Sequence, residues 1–279
     1  MHSPRATGYA LAAIGLWSTL AAVAVKLRGV PPFLLLGLAL LLGGAVGARR
    51  VRLSGLRPAV LVLGMYGLFA YHLCLFLALR LAPPVEANLV NYLWPLLIVV
   101  LSPALLPRTP LRLRHVAAAL LGFSGAALLV GGGHAGFRGP LVGYLLALAA
   151  AVIWSTYSLL TKRLSPFPTS AVAAFCLMSG ALALACHFLF EPRHLPTPRE
   201  APYLLWIGLG PMGAAFYLWD RALKEGDPRV IGTLAYLTPL LSTSLIAITG
   251  GGRLTWVSGG AMVMIVGGAA LGSARPGRS

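Results

Sequence analysis

Residues 85–97 read VEANLVNYLWPLL and residues 230–241 read VIGTLAYLTPLL. Each is an apolar run broken by a tyrosine and, three residues later, a proline: Tyr92 and Pro95 in the first, Tyr236 and Pro239 in the second. Extended backwards, 78–97 aligns without a gap to 222–241 at an offset of 144, with eight of twenty positions identical. Trp-Ser-Thr at 17–19 recurs at 154–156, an offset of 137. Two matches in the same order, at about half the chain length, indicate an internal duplication. The difference between the offsets fits a longer connection around EPRHLPTPREAP, 191–202.

The surroundings say which solvent the duplicated unit meets. Of 279 residues, 58% are hydrophobic and only 10% charged, with a mean hydropathy of +0.84. A soluble domain carries about a quarter charged residues, so this chain is expected to be an all-α integral membrane protein. The net charge of +16 lies in short basic clusters between apolar stretches, without the stripe or aromatic interleaving that nucleic acids require. Cys74, Cys176 and Cys186 sit inside apolar segments with no CxxC pair, so neither a disulfide framework nor a metal site is expected. No cofactor is expected.

A helix needs about 20 apolar residues to cross a bilayer. Breaks at Pro, Gly and basic clusters give ten candidate spans: 7–27, 31–48, 56–79, 85–106, 114–132, 140–161, 168–190, 201–223, 229–249 and 255–273. Ten spans and an offset near half the chain mean five spans per copy, residues 1–136 and 137–279. Five is odd, so the copies are expected to sit inverted in the membrane, an arrangement of secondary transporters whose site lies near the midplane. Fifteen of the 22 Lys and Arg fall on the side of the termini, which places both termini in the cytoplasm. A passive channel would share this topology. An enzyme would need a metal cluster or a nucleophile–base pair, and the sequence offers neither.

Trp206, Trp219 and Trp256 lie near span ends and read as interface anchors. Trp17, Trp94 and Trp154 lie near the middles of spans one, four and six, where each indole N–H needs a partner. At helical spacing Asn88, Asn91, Tyr92 and Pro95 share one face of span four, with Trp94 on its flank. Trp154, Tyr157, Ser158 and Thr161 share a face of span six. Interhelical hydrogen bonding accounts for Ser158 or Thr161 alone, but less well for two stripes that mix aromatics with polar groups. His72, mid-span three, is either an interhelical hydrogen-bond donor or a contact for substrate or proton.

A proline inside a helix removes one hydrogen bond and crowds the carbonyl four residues back. Pro95 is therefore expected to free the carbonyl of Asn91, and Pro239 that of Ala235, making both prolines candidate hinges. Of the six acidic residues only Glu86 and Asp220 come near a span, each close to its end, which argues against strong ion coupling. Spans five and ten carry small residues at four-residue spacing (Ala118, Gly122, Ala126; Gly268, Gly272), suited to close packing within the bundle or against a second copy in a homo-dimer.

With ten spans, a five-plus-five repeat, Trp-Ser in spans one and six and a proline in spans four and nine, the chain resembles the EamA-type branch of the drug/metabolite transporter superfamily. Within it, NLVNYLWPLL resembles the YddG-type aromatic amino acid exporters. The resemblance implies a basket-shaped bundle and export of aromatic and other neutral amino acids across the bacterial inner membrane. It also implies a substrate site that takes Tyr92, Trp94 and Trp154. The residues agree. Trp94, Tyr92, Trp154 and Trp17 suit an aromatic side chain, and Asn88, Asn91, His72, Tyr157 and Ser158 suit its polar end. Export of another neutral metabolite or drug is the alternative. In the second copy Trp94 is replaced by Thr238 and Asn91 by Ala235, so the site is expected to be weighted toward span four.

Overall fold

The computed structural model describes residues 3–50, 55–107, 109–131, 139–164, 166–248 and 256–273. The boundary between the two expected copies, at 136/137, and the basic residues Arg52, Arg108, Arg138, Arg253, Arg275 and Arg278 lie outside them. Among the described residues every regular element is a helix. Pro58–Leu81, Pro84–Leu105, Leu141–Arg163, Ala171–Phe190 and Ala201–Glu225 are long and apolar enough to cross a membrane.

Proline punctuates these helices in a consistent way. It sits in the first turn of α1 (Pro4–Ser18), which the short α2 (Leu20–Ala24) follows, and of α3 (Pro32–Ala48), α4 (Pro58–Met65), α6 (Pro84–Asn91) and α13 (Pro228–Leu234). There its missing N–H has no intrahelical acceptor in any case and its fixed φ is already helical. At α1 the Ser3 side chain adds a cap by accepting from the Ala6 N–H at 3.3 Å.

The candidate hinges obey the same rule, which corrects one expectation. Span four is not one kinked helix. Helix α6 ends at Asn91, the chain turns at Tyr92 (φ −65°, ψ 2°), and α7 (Trp94–Leu105) restarts with Pro95 in its first turn. The matching pair is α13 and α14 (Leu237–Ile248), broken at Ala235–Tyr236. Pro239 does not leave the Ala235 carbonyl free, because that carbonyl accepts the Thr238 N–H at 3.0 Å. The turn between the two helices takes up the bond that a proline in a continuous helix would have orphaned.

Two further irregularities lie 144 residues apart. A wide π-helical turn at Tyr66–Ala70 separates α4 from α5 (Tyr71–Leu81). Another at Gly210–Ala214 separates α11 (Ala201–Leu209) from α12 (Ala215–Glu225). Such turns shift the helical register and commonly accompany functional sites.

The central helix is α9 (Leu141–Arg163), which buries Trp154, Ser155, Tyr157, Ser158, Leu159 and Thr161. It packs on α5 and α7, while α1 packs on α12 and α14. Helix α3 lies along α10 (Ala171–Phe190), and α8 (Leu113–Gly131) along α15 (Trp256–Ser273). Close crossings depend on glycine. A Cβ at Gly268 would stand 2.8 Å from the Ala118 carbonyl oxygen and 2.9 Å from the Gly122 nitrogen. The small residues of α8 and α15 thus face each other inside the bundle. At Gly43 of α3 a Cβ would meet backbone atoms of the 210–214 turn at 2.6–2.7 Å.

Buried ionic clusters mark both ends of the bundle. At one end Glu191, next after α10, accepts from the backbone N–H groups of Phe33 (3.0 Å) and Leu34 (3.3 Å) and lies 3.0 Å from His187 Nδ1. Arg80, from the last turn of α5, reaches it at 3.4 Å. At the other end Asp220 of α12 pairs with Lys224 at 2.7 Å and accepts from Thr169 Oγ1 at 2.6 Å. From sequence, Asp220 is expected near a span end and Glu191 in the connection 191–202. In the fold, neighbouring segments cover both carboxylates, and Asp220 is only 2% exposed.

Candidate functional site

Four of the six tryptophans converge. Trp17 of α1 lies 6.5 Å from Trp94, 5.8 Å from Trp154 and 5.2 Å from Trp219, between ring centroids. Trp94 is edge-on to Trp154 at 6.3 Å and to Trp219 at 5.6 Å. Trp154 also meets Tyr71 at 5.1 Å, Tyr157 at 5.4 Å and Phe216 at 5.8 Å. Tilted and edge-to-face rings at these spacings are the arrangement that their quadrupoles favour. Rings from α1, α5, α7, α9 and α12 thus form one aromatic cage.

Polar groups border it. Trp17 donates its indole N–H to the Pro211 carbonyl at 3.0 Å, an acceptor inside the second wide turn. Trp219 donates to Ser158 Oγ at 3.1 Å. The indole N–H groups of Trp94 and Trp154 find no acceptor among the described residues. His72 packs on Tyr71 (4.8 Å) and Phe216 (6.5 Å), and its Nδ1 lies 2.5 Å from the Leu68 carbonyl. A carbonyl can only accept, so Nδ1 carries a proton, and in the neutral imidazole Nε2 is left as an acceptor. Asn91 donates to the Tyr71 hydroxyl at 3.3 Å, while its Oδ1 is buried without a partner.

The bond from Trp17 to Pro211 can be isolated experimentally. Trp17→Phe keeps a ring in the cage and orphans the Pro211 carbonyl, which is expected to cost about 1–3 kcal/mol. The check is a lowered temperature of half-loss of the monodisperse protein in detergent, with the Trp94→Phe protein as the reference that loses no bond.

Trp17, Trp94, Trp154, Tyr157, Ser158, His72 and Asn91 are all brought to this region. Asn88 and Tyr92 stand half-buried, and among the described residues Tyr92 makes no ring contact. Tyr92 stands at the break itself, where its hydroxyl is near enough to that of Tyr71 for the two to interact. Pro95 is buried at the start of α7. Trp206 and Trp256 are exposed, as expected for anchors, but Trp219 is not: it is 1% exposed and faces Trp17 and Trp94. Tyr71 and Phe216 were also missed. The 144-residue offset pairs His72 with Phe216, so extending the repeat alignment would have found the latter.

A family model described as the EamA-like transporter family matches residues 6–131 and, a second time, 141–274. The chain belongs to this family. The EamA-like chain is 48% identical, over 97% of its length and 98% of the relative's, to the aromatic amino acid exporter YddG of Ancylobacter novellus. It is 28% identical to the exporter of the same name from Salmonella typhimurium, over 89% of each chain. With the exporter from Escherichia coli it shares 26% identity over 97% of each. One solved crystal structure, 47% identical, superimposes with a TM-score of 0.90 over 96% of both chains. The EamA-like chain is therefore a membrane transporter, and its bundle is one already seen experimentally in a close sequence relative.

Proposed function

We propose that this transporter exports aromatic and other neutral amino acids across the bacterial inner membrane. It does so by alternating access of two inverted five-span repeats, residues 1–136 and 137–279, with both termini in the cytoplasm. The observation that carries the substrate reading is the Trp17–Trp94–Trp154–Trp219 cage, whose rings match an aromatic side chain and whose border supplies N–H donors and acceptors for a zwitterion. The names of the relatives point the same way.

Three observations support the inverted repeat. The broken pairs α6–α7 and α13–α14 lie in register at the repeat offset, as do the two wide turns. The packing repeats too, since α5 lies on α9 as α12 lies on α1. Arg80 and Lys224, also 144 apart, serve ionic clusters at opposite ends of the bundle. Pro95 and Pro239 begin the second half of each broken span and are the proposed hinges, because the turn before each can change its two dihedrals without disturbing a ladder of bonds.

The test is efflux of radiolabelled phenylalanine from vesicles containing the purified protein. Saturable flux, inhibited by tryptophan and tyrosine, is expected. Flux that rises linearly with concentration for every aromatic amino acid would sink the proposal.

A further inference from the structure

Asp220 holds a buried carboxylate that the aromatic cage does not use. We propose that Asp220 is the site for the α-ammonium of an incoming amino acid, and that Lys224 occupies this site in the unloaded transporter. The assignment rests on the export reading above.

Position comes first. Asp220 follows Trp219 on α12, whose ring forms part of the cage and whose indole N–H donates to Ser158 Oγ on α9. An amino acid with its side chain among the tryptophans therefore has a carboxylate at the Lys224 end of the cage. Among the described residues the cage itself supplies rings, indole N–H groups, an amide and an imidazole, but no anion. A zwitterion brings an ammonium that needs one.

The donor set at Asp220 fits an ammonium. Lys224 Nζ sits 2.7 Å from Oδ2 and is a primary ammonium with three N–H donors, the same group that an amino acid carries at its α-carbon. Thr169 Oγ1 shares Oδ2 at 2.6 Å, so Oδ1 is left buried with no partner. One carboxylate oxygen is thus unserved by the resident cation, and an entering ammonium can bond to it before Lys224 leaves.

Lys224 also has somewhere to go. Its Nζ donates to the Phe167 carbonyl at 3.0 Å and lies 3.7 Å over the Phe167 ring, so it keeps two partners after giving up the carboxylate. It is not needed to cap α12, because Lys162 already donates to the carbonyls of Leu223, Lys224 and Gly226 at 2.5–3.3 Å. A zwitterion adds no net charge, so the summed charge of the site is the same before and after loading: the guest ammonium takes Asp220, and the displaced Lys224 ammonium balances the guest carboxylate.

The test is equilibrium binding of radiolabelled phenylalanine to the full-length protein in detergent. Asp220→Asn is expected to weaken binding about tenfold or more, and Lys224→Met, which removes the resident competitor, to tighten it. Unlabelled 3-phenylpropanoate, which lacks the ammonium, should compete poorly with phenylalanine on the unaltered protein. A structural ion pair gives another pattern: both variants lose folded protein while the folded fraction binds phenylalanine with unaltered affinity. That pattern overturns the assignment. If Asp220→Asn does not fold, weaker or unchanged affinity in Lys224→Met overturns it as well. Failure of the unaltered protein to bind phenylalanine saturably overturns the export reading and this assignment together. Normal binding that Asp220→Asn leaves intact overturns this assignment alone.

Discussion

Trp154→Ala is expected to lower phenylalanine efflux by roughly 30-fold or more. Burial of an aromatic face and its favoured geometry together contribute at least about 2 kcal/mol, and each 1.4 kcal/mol is tenfold. Trp154 is the hub of the cage, with ring contacts to Trp17, Tyr71, Trp94, Tyr157 and Phe216. Removing it also opens a void that those five rings cannot fill without leaving their own partners. In soluble cores such truncations cost about 3–5 kcal/mol, and in lipid the dispersion part of that cost remains. Efflux must therefore be normalised to folded protein. Trp154→Phe, which retains a ring, should keep the fold and lose only part of the transport. Trp256→Ala, at a position 98% exposed, should match the unaltered protein. If Trp256→Ala is as harmful as Trp154→Ala, the cage is not the site.

Gly43→Ala is expected to reduce the yield of monodisperse protein severely and to lower its unfolding temperature. Two effects oppose each other. Alanine gains about 1 kcal/mol of intrinsic helix propensity over glycine. Against this, its Cβ would stand 2.6 Å from the Met212 carbonyl oxygen, 2.7 Å from the Gly213 Cα and 2.9 Å from the Gly208 carbonyl oxygen. All three are backbone atoms, so no side-chain rotation relieves the clash and α3 must part from the wide turn. Overpacking costs about 1–3 kcal/mol where side chains can yield, and more is expected here. The displaced turn carries Pro211, the acceptor for Trp17, so the cage loses its anchor too. Gly8→Ala is the control: a Cβ there meets nothing within 4 Å, and only the propensity gain should be seen.

The repeated Tyr-x-x-Pro strings located both broken spans from sequence, and the mid-span tryptophans located three corners of the cage. What a break would look like was not legible, because proline is equally at home in a kink and in the first turn of a new helix. Tyr92 decides between them through a backbone turn that its side chain does not announce. Trp219 was misread because distance from a span end was used as a proxy for depth. In the fold α12 follows a wide turn that changes which face it presents, and GPMGA at 210–214 carries no periodic signal of that turn. Asp220 and Glu191 were underrated for a related reason. Besides the partners one turn along the chain, Lys224 and His187, they are covered by Thr169 and by the Phe33 and Leu34 backbone, contacts made across the fold that no helical spacing shows.

The convergence of Trp17, Trp94, Trp154 and Trp219 has an optical consequence. Indoles whose centroids lie 5.2–6.5 Å apart couple their electronic transitions, so excitation is shared among the four rather than held by one. Their near-ultraviolet circular dichroism then reports mutual orientation, and their emission is that of a group. Any aromatic guest that enters perturbs all four at once, while Trp206 and Trp256 stand apart as an internal baseline. The protein carries its own spectroscopic ruler at the place where cargo is proposed to sit.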